Sequence, residues 1–264
     1  MSDMHRHKII VDLLRERPFA SVRELQDMLG VSAATVRRDI DRLHEAGEAR
    51  KVYGGVSVSE ASIAHESSAR PFNENRGIAV DAKRAIAAKA ETLVHDGDAI
   101  IVHAGSTCFQ LGVRLASRSL SIFTNSIPLT AHLGDYGTCQ VTVSGGEFHR
   151  EPGIIHDLSG TAPAFMASKF FVGAQGIGPG GIMESHPLLS KTVRELAECT
   201  NEIIVLADSR KFSIRPRNVV LPLGRIDALV TDEGISEGAA RMLEDAGIAL
   251  HIAQTSAPVS GGLN

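Results

Sequence analysis

Apolar residues recur at helical spacing through the first part of the chain. Ile9, Ile10, Leu13 and Leu14 form one stripe, and Pro18 stops the helix they predict. Ser21 and Glu24 make a capping box for a short second helix, which buries Val22, Leu25 and Leu29 and ends at Gly30. Ser32 caps a third helix with Val36, Ile40 and Leu43 on its inner face and Gly47 as its terminator. β-forming residues then flank Gly54-Gly55, which predicts a hairpin across Glu48–Val58.

Helix, short helix, tight turn and helix is the order of a helix-turn-helix, and a hairpin placed just after it is a wing. The third helix and its cap offer Ser32, Thr35, Arg37, Arg38 and Arg42 to double-stranded DNA, and the wing offers Arg50, Lys51 and Tyr53. Arginine can read guanine edges bidentately and can also hold phosphates. The acids Asp39, Asp41, Glu45 and Glu48 stand among these cations. They are expected to point to the flanks or to pair with arginines.

Residues 59–79 are rich in Ser, Ala, Glu and Asn and read as a connector. From Val80 the pattern becomes α/β. Short β-rich runs at 99–102, 120–124, 140–144, 169–174, 203–207, 228–231 and 249–252 alternate with helical segments at 80–94, 107–117, 188–199 and 236–246. This predicts an open, mostly parallel α/β sheet over 80–253, after a winged helix-turn-helix at 1–58. The small, polar residues 254–264 read as a disordered tail.

Ligands of open α/β sheets bind at the carboxyl ends of strands. His103, Gly105, Ser106 and Thr107 follow the first of these runs and open a helix, which suits a phosphate or carboxylate. Asn125 follows the next run, Gly145 and Gly146 the third, and Asp208 and Lys211 a later one. Together they predict a polar pocket for a small anionic metabolite.

The stretch Ser32-Ala33-Ala34-Thr35-Val36-Arg37-Arg38-Asp39-Ile40 resembles the recognition-helix signature of the DeoR family of bacterial repressors, and Arg50 to Gly55 resembles its wing. Further motifs follow in the order of that family's sensor domain: Asp96-Gly97-Asp98, Gly105-Ser106-Thr107, Thr124-Asn125, Gly145-Gly146, Gly176 to Gly181 and Asp208 to Lys211. That domain is similar to the sugar-phosphate isomerase and CoA-transferase superfamily. The resemblance implies a repressor of a carbohydrate catabolism operon, controlled by a phosphorylated sugar or sugar-acid effector. Two stretches depart from the family: Gln175-Gly176-Ile177 and Glu184-Ser185-His186-Pro187. Both fall near the expected pocket, so Gln175 and Glu184 join the candidate effector residues.

Composition narrows the alternatives. A chain of 264 residues, 43% apolar and 22% charged, is long enough for two domains with a sizeable core. A net charge of -4 means that any DNA-binding face is local. One head has a small footprint, so a homodimer or homotetramer is expected. Cys108, Cys139 and Cys199 lack disulfide or zinc spacing, and the histidines form no HxH or HExxH, so neither metal nor cofactor is expected. Gly176 to Gly181 formally satisfies GxGxxG, but Pro179 interrupts it and no helix follows at once, so it reads as a glycine-rich surface loop. The chain opens on no apolar leader and contains no window near the ~20 apolar residues of a membrane span, so it reads as cytoplasmic. The rival reading is an isomerase-like enzyme with a fused DNA-binding domain, for which Glu147, Asp157, Glu184 and Lys191 supply candidate acid-base groups. A fused DNA-binding domain favours sensing over turnover.

Overall fold

The computed structural model describes residues 3–16, 19–46, 48–58, 71–157, 165–216 and 218–255. Pro18, Gly47, most of the 59–79 connector and nearly all of the tail lie outside the described residues. The chain divides into two compact units, Met1–Ser68 and Ala69–Asn264.

The first unit holds α1 (Asp3–Glu16), β1 (Phe19–Ser21), α2 (Val22–Leu29), α3 (Ala33–Glu45), β2 (Ala49–Val52) and β3 (Gly55–Val58). The capping box at Ser21 and Glu24 forms in full, Gly30 ends α2 in the left-handed conformation, and Ser32 caps α3 through the Thr35 N–H. Ile10, Leu14, Leu25, Leu29, Val36, Ile40 and Leu43 form the core, with Ala20, Ala49 and Val56. The sheet order is β1-β3-β2, all antiparallel, so the wing carries a third strand that the sequence pattern does not show. Gly55 permits it, because a Cβ there would stand 2.2 Å from the Ala20 carbonyl oxygen.

Asp39 on α3 is turned inward. Its carboxylate accepts from Arg6 Nε at 2.7 Å and Arg6 Nη2 at 3.0 Å, joining α3 to α1, and His7 lies at 3.1 Å. Burial pushes this carboxyl up, and the Arg6 guanidinium with His7 more than offsets it, leaving it below the usual range. Removing one member of a buried pair strands the other charge. Asp39→Ala is therefore expected to lower the melting temperature by several degrees and to speed amide exchange in α1. A variant melting with the wild type would show that the pair is not structural.

The second unit is built on seven parallel strands in the order β15-β14-β12-β9-β4-β5-β6. These are β4 (Ala99–Val102), β5 (Ser121–Thr124), β6 (Gln140–Val143), β9 (Ala167–Gly173), β12 (Thr200–Leu206), β14 (Ala228–Asp232) and β15 (Ala249–Ala253). Successive side chains alternate between faces. Ile100 and Val102 join a layer with α5 (Val80–Glu91), α6 (Ser106–Leu115) and α7 (Ile127–Tyr136). Ile101 joins the opposite layer with α8 (Pro187–Ala197) and α9 (Glu237–Asp245). A short helix, α4 (Phe72–Arg76), lies within the stretch read as connector. The chain runs outward from β4 to β6, then returns at β9 on the other side of β4. This places the topological switch between β4 and β9, where such sheets leave a crevice.

Two small antiparallel elements complete the unit. The hairpin of β7 (Glu147–His149) and β8 (Ile154–His156) follows β6. A three-stranded sheet has the order β10 (Gly176–Gly178), β11 (Gly181–Glu184) and β13 (Asn218–Leu221). The glycine-rich stretch is thus no surface loop: Gly176 to Gly178 and Gly181 to Met183 are buried, and only Pro179-Gly180 is exposed at the turn. Among the described residues no helix is long and apolar enough to cross a membrane.

Candidate functional site

In the first unit, Arg37 and Arg38 stand exposed on α3. Neither makes a hydrogen bond or ion pair with another described residue. The other candidates are more engaged. Arg42 Nη1 donates to Asp3 Oδ2 at 2.6 Å, and Lys51 Nζ donates to Asp41 Oδ1 at 2.5 Å. Ser32 and Thr35 share a hydroxyl hydrogen bond of 3.0 Å at the helix start. Arg50 is exposed on β2, and Tyr53 is fully exposed at the hairpin turn. The face thus has two unengaged guanidinium groups flanked by cations held in place.

In the second unit, the candidates gather at the carboxyl ends of β4, β5, β9 and β12. Gly105 precedes α6 with φ 145° and ψ 151°, a region essentially confined to glycine. No side chain caps α6, and a Cβ on Gly105 would meet nothing within 4 Å. The first N–H groups of a helix have no intrahelical acceptor and carry its positive end. Ser106 and Thr107 are buried beside them. Asn125 crosses from β5 and accepts the Ala104 N–H on Oδ1 at 2.9 Å, tying the two loops together.

Asp208, at the end of β12, is held by a forked pair of bonds from Arg210, 2.7 Å and 3.0 Å long. Its burial pushes the carboxyl up, but Lys211, Arg210 and Lys83 together hold it below the usual range. Lys83 is missing from the sequence-derived candidates. It lies on α5, 2% exposed, and donates to the Asn75 carbonyl. The Lys211 charge also acts on Glu184.

Glu184 and Gln175 both hold the turn into α8, since the Ser185 N–H reaches Gln175 Oε1 and Glu184 Oε1, each at 2.8 Å. Burial pushes the Glu184 carboxyl up, against the His186 and Ser185 N–H groups and the Lys211 charge. The folded state then keeps this proton to higher pH than the unfolded chain, so stability falls as pH rises above the ordinary 4.5. Glu184→Gln keeps the acceptor and removes the charge. It is expected to raise the melting temperature at about pH 7 and to leave it unchanged below about pH 4. A variant less stable at neutral pH would contradict the sign.

A cavity of about 360 Å³ opens on the α8 side of the sheet, past the ends of β5 and β6. Phe123 and Phe165 give it an apolar wall, and Asn125, Gly145, His156 and Thr192 line it with polar groups. Of the sequence-derived candidates, Asn125 and Gly145 reach it, whereas Gly105 to Thr107, Asp208 and Lys211 do not. Gly146 sits against the backbone of His156, in the β7–β8 hairpin. His103 faces inward: burial pushes its imidazole down to about 4, and Nε2 bonds Thr192 Oγ1 at 3.1 Å. His156 is likewise buried. Among the described residues no group of three or more His, Cys, Asp or Glu is placed to hold a metal ion.

Residues 6–62 match the DeoR-like helix-turn-helix domain, and residues 78–233, more than half of the chain, match the DeoR C terminal sensor domain. The chain belongs to the DeoR family. This DeoR-family regulator is 28% identical over 251 residues to the HTH-type transcriptional regulator UlaR of Shigella dysenteriae serotype 1, covering 95% of this chain and 99% of that one. UlaR of Escherichia coli K12 / DH10B matches with the same identity and coverage. Among solved structures, ribose 5-phosphate isomerase A from Methanocaldococcus jannaschii overlaps 49% of this chain and 53% of its own, at 17% identity and a TM-score of 0.37. The beta subunit of eIF2B from Chaetomium thermophilum overlaps 56% and 47%, at 17% identity and 0.38. The regulator thus spans about half of each of these two structures, and overlaps so partial decide neither fold nor chemistry.

Proposed function

We propose that this DeoR-family regulator represses a carbohydrate catabolism operon in the cytoplasm, as a homodimer or homotetramer that binds operator DNA and is controlled by a phosphorylated sugar or sugar acid. The observation that carries the effector reading is the start of α6. It combines free N–H groups, a glycine no side chain can replace without strain, and open space where a Cβ would stand. The anionic group binds there, with Ser106 and Thr107 as further donors and with Lys211 and Lys83 offsetting its charge. The ligand is sensed and not turned over.

Two measurements on the purified chain test this. Thermal shift against a panel of phosphorylated sugars and sugar acids should give a ligand that raises the melting temperature, because ligands of the native state stabilise it. That ligand should change operator affinity. Lys211→Ala should weaken effector binding by about 1.5–3 kcal/mol, the worth of a charge-assisted hydrogen bond, and leave effector-free operator affinity near wild type. Turnover of any of these compounds above background would instead make the chain an enzyme.

A further inference from the structure

Asp3, at the start of α1, links two arginines. Its Oδ1 accepts from Arg6 Nη2 at 2.7 Å and its Oδ2 from Arg42 Nη1 at 2.6 Å. Arg6 in turn holds the buried Asp39. The ion pairs therefore run Arg42–Asp3–Arg6–Asp39, from the exposed side of α3 through α1 and back into α3. The Arg6 and Arg42 guanidinium groups hold the Asp3 carboxyl below the usual range, so it is charged at neutral pH.

Stability does not account for the outer half of this chain of charges. The Arg42 and Asp3 side chains are half-exposed, and exposed ion pairs contribute little. Arg6 and Asp39 already join α1 to α3. A carboxylate on a DNA-facing surface also repels phosphates: like charges about 4 Å apart in water weaken binding about fivefold. Asp3 thus works against affinity for DNA in general, and its role lies in what it does to Arg42.

Arg42 stands one turn beyond Arg38 on the same side of α3. A guanidinium is a planar fork, so a bond to one nitrogen fixes the direction of the others. Arg42 gives Nη1 to Asp3, and no described residue bonds its Nε or Nη2. Those two share one edge of the fork, the edge that meets a bidentate acceptor such as guanine O6 and N7. Held by Asp3, this edge points one way. Released, the side chain can follow any nearby phosphate, and phosphate contacts carry no sequence information. Lys51 and Asp41 make the contrast: their exposed pair extends to no other described residue, and an ammonium has no plane to orient.

We propose that Asp3 is a specificity-determining residue: it positions the free edge of Arg42 for one bidentate acceptor in the operator and withholds it from phosphates out of register. This rests on the reading of α3 as the DNA-contacting helix and adds to it a residue that acts through Arg42.

Fluorescence anisotropy on the full chain, over a salt series, tests this with two duplexes: one selected by the wild type from a random pool, and a scrambled one of the same composition. Asp3→Asn should bind the scrambled duplex about fivefold more tightly, steepen its log–log salt slope by about one, and lower the selected-to-scrambled ratio about threefold or more. Adding Arg42→Gln should erase the gain on the scrambled duplex. Asp41→Asn should tighten both duplexes alike. Arg42→Gln alone leaves Asp3 on Arg6, so it tests the idea even if Asp3→Asn melts early: the selected duplex should lose about fivefold or more and the scrambled one less than about twofold. An unchanged ratio in a folded Asp3→Asn, a gain that survives Arg42→Gln, or equal losses on both duplexes in Arg42→Gln overturns the proposal. If Arg37→Ala and Arg38→Ala bind the selected duplex like the wild type, the reading of α3 fails and this one with it. If those two lose affinity while Asp3→Asn keeps the wild-type ratio, only the role of Asp3 fails.

Discussion

Arg37→Ala and Arg38→Ala are each expected to weaken operator binding by about 1–3 kcal/mol, roughly five- to 150-fold. These two guanidinium groups are exposed and make no bond within the described protein, so their donors are available to base edges and phosphates. Arg42 and Lys51 differ, because each already holds a carboxylate that it must share or release. Lys51→Ala should therefore cost less, and by a similar amount on every DNA sequence, as a phosphate contact does. Fluorescence anisotropy with a selected operator and a scrambled duplex, at one fixed salt concentration, separates the two behaviours. If both helix variants bind the operator like the wild type, α3 is not the reading helix.

Gly105→Ala is expected to abolish the response to effector while leaving effector-free operator affinity near wild type. A bulky side chain such as valine would block the loop by its size. The backbone angles make a smaller change sufficient. At φ 145° and ψ 151° any Cβ is strained, by about 1–3 kcal/mol, and the loop relaxes by turning its N–H groups away. The new methyl group would also stand in the open space before α6. Effector affinity should fall roughly a hundredfold, since several charge-assisted bonds depend on one geometry. Titrating operator release or retention against effector measures it. A Gly105→Ala protein responding at the wild-type effector concentration would place the anion site elsewhere.

What the sequence shows and hides follows from the range of the interactions. Ser21, Glu24, Gly30 and Ser32 act within a turn of themselves, so the helices of the first unit are legible without a structure. The strand-end residues are legible because a parallel sheet sends every carboxyl end to one edge. Asp39 is not, because its partner Arg6 lies 33 residues earlier. β1 is hidden too: three residues that run into the capping box carry no period, and only the edge of β3 makes them a strand. Lys83 left a signal that was available, since it continues the buried stripe of Ile86, Ala87 and Ala90. A charged residue in such a stripe asks for a partner.

The Asn125 side chain has one further consequence. Its oxygen holds the backbone next to Gly105, and the residue also lines the cavity. A planar amide is rigid, so the start of α6 and the cavity keep a fixed separation before any ligand arrives. A molecule long enough to touch both behaves as a chelate: once one end is seated, the other meets its partner at a high effective concentration. Fragments gain nothing from this. If the effector is a phosphorylated sugar, as proposed above, free phosphate and free sugar would be poor signals. On the effector reading proposed above, the regulator would ignore the separate fragments and answer only to the whole ligand.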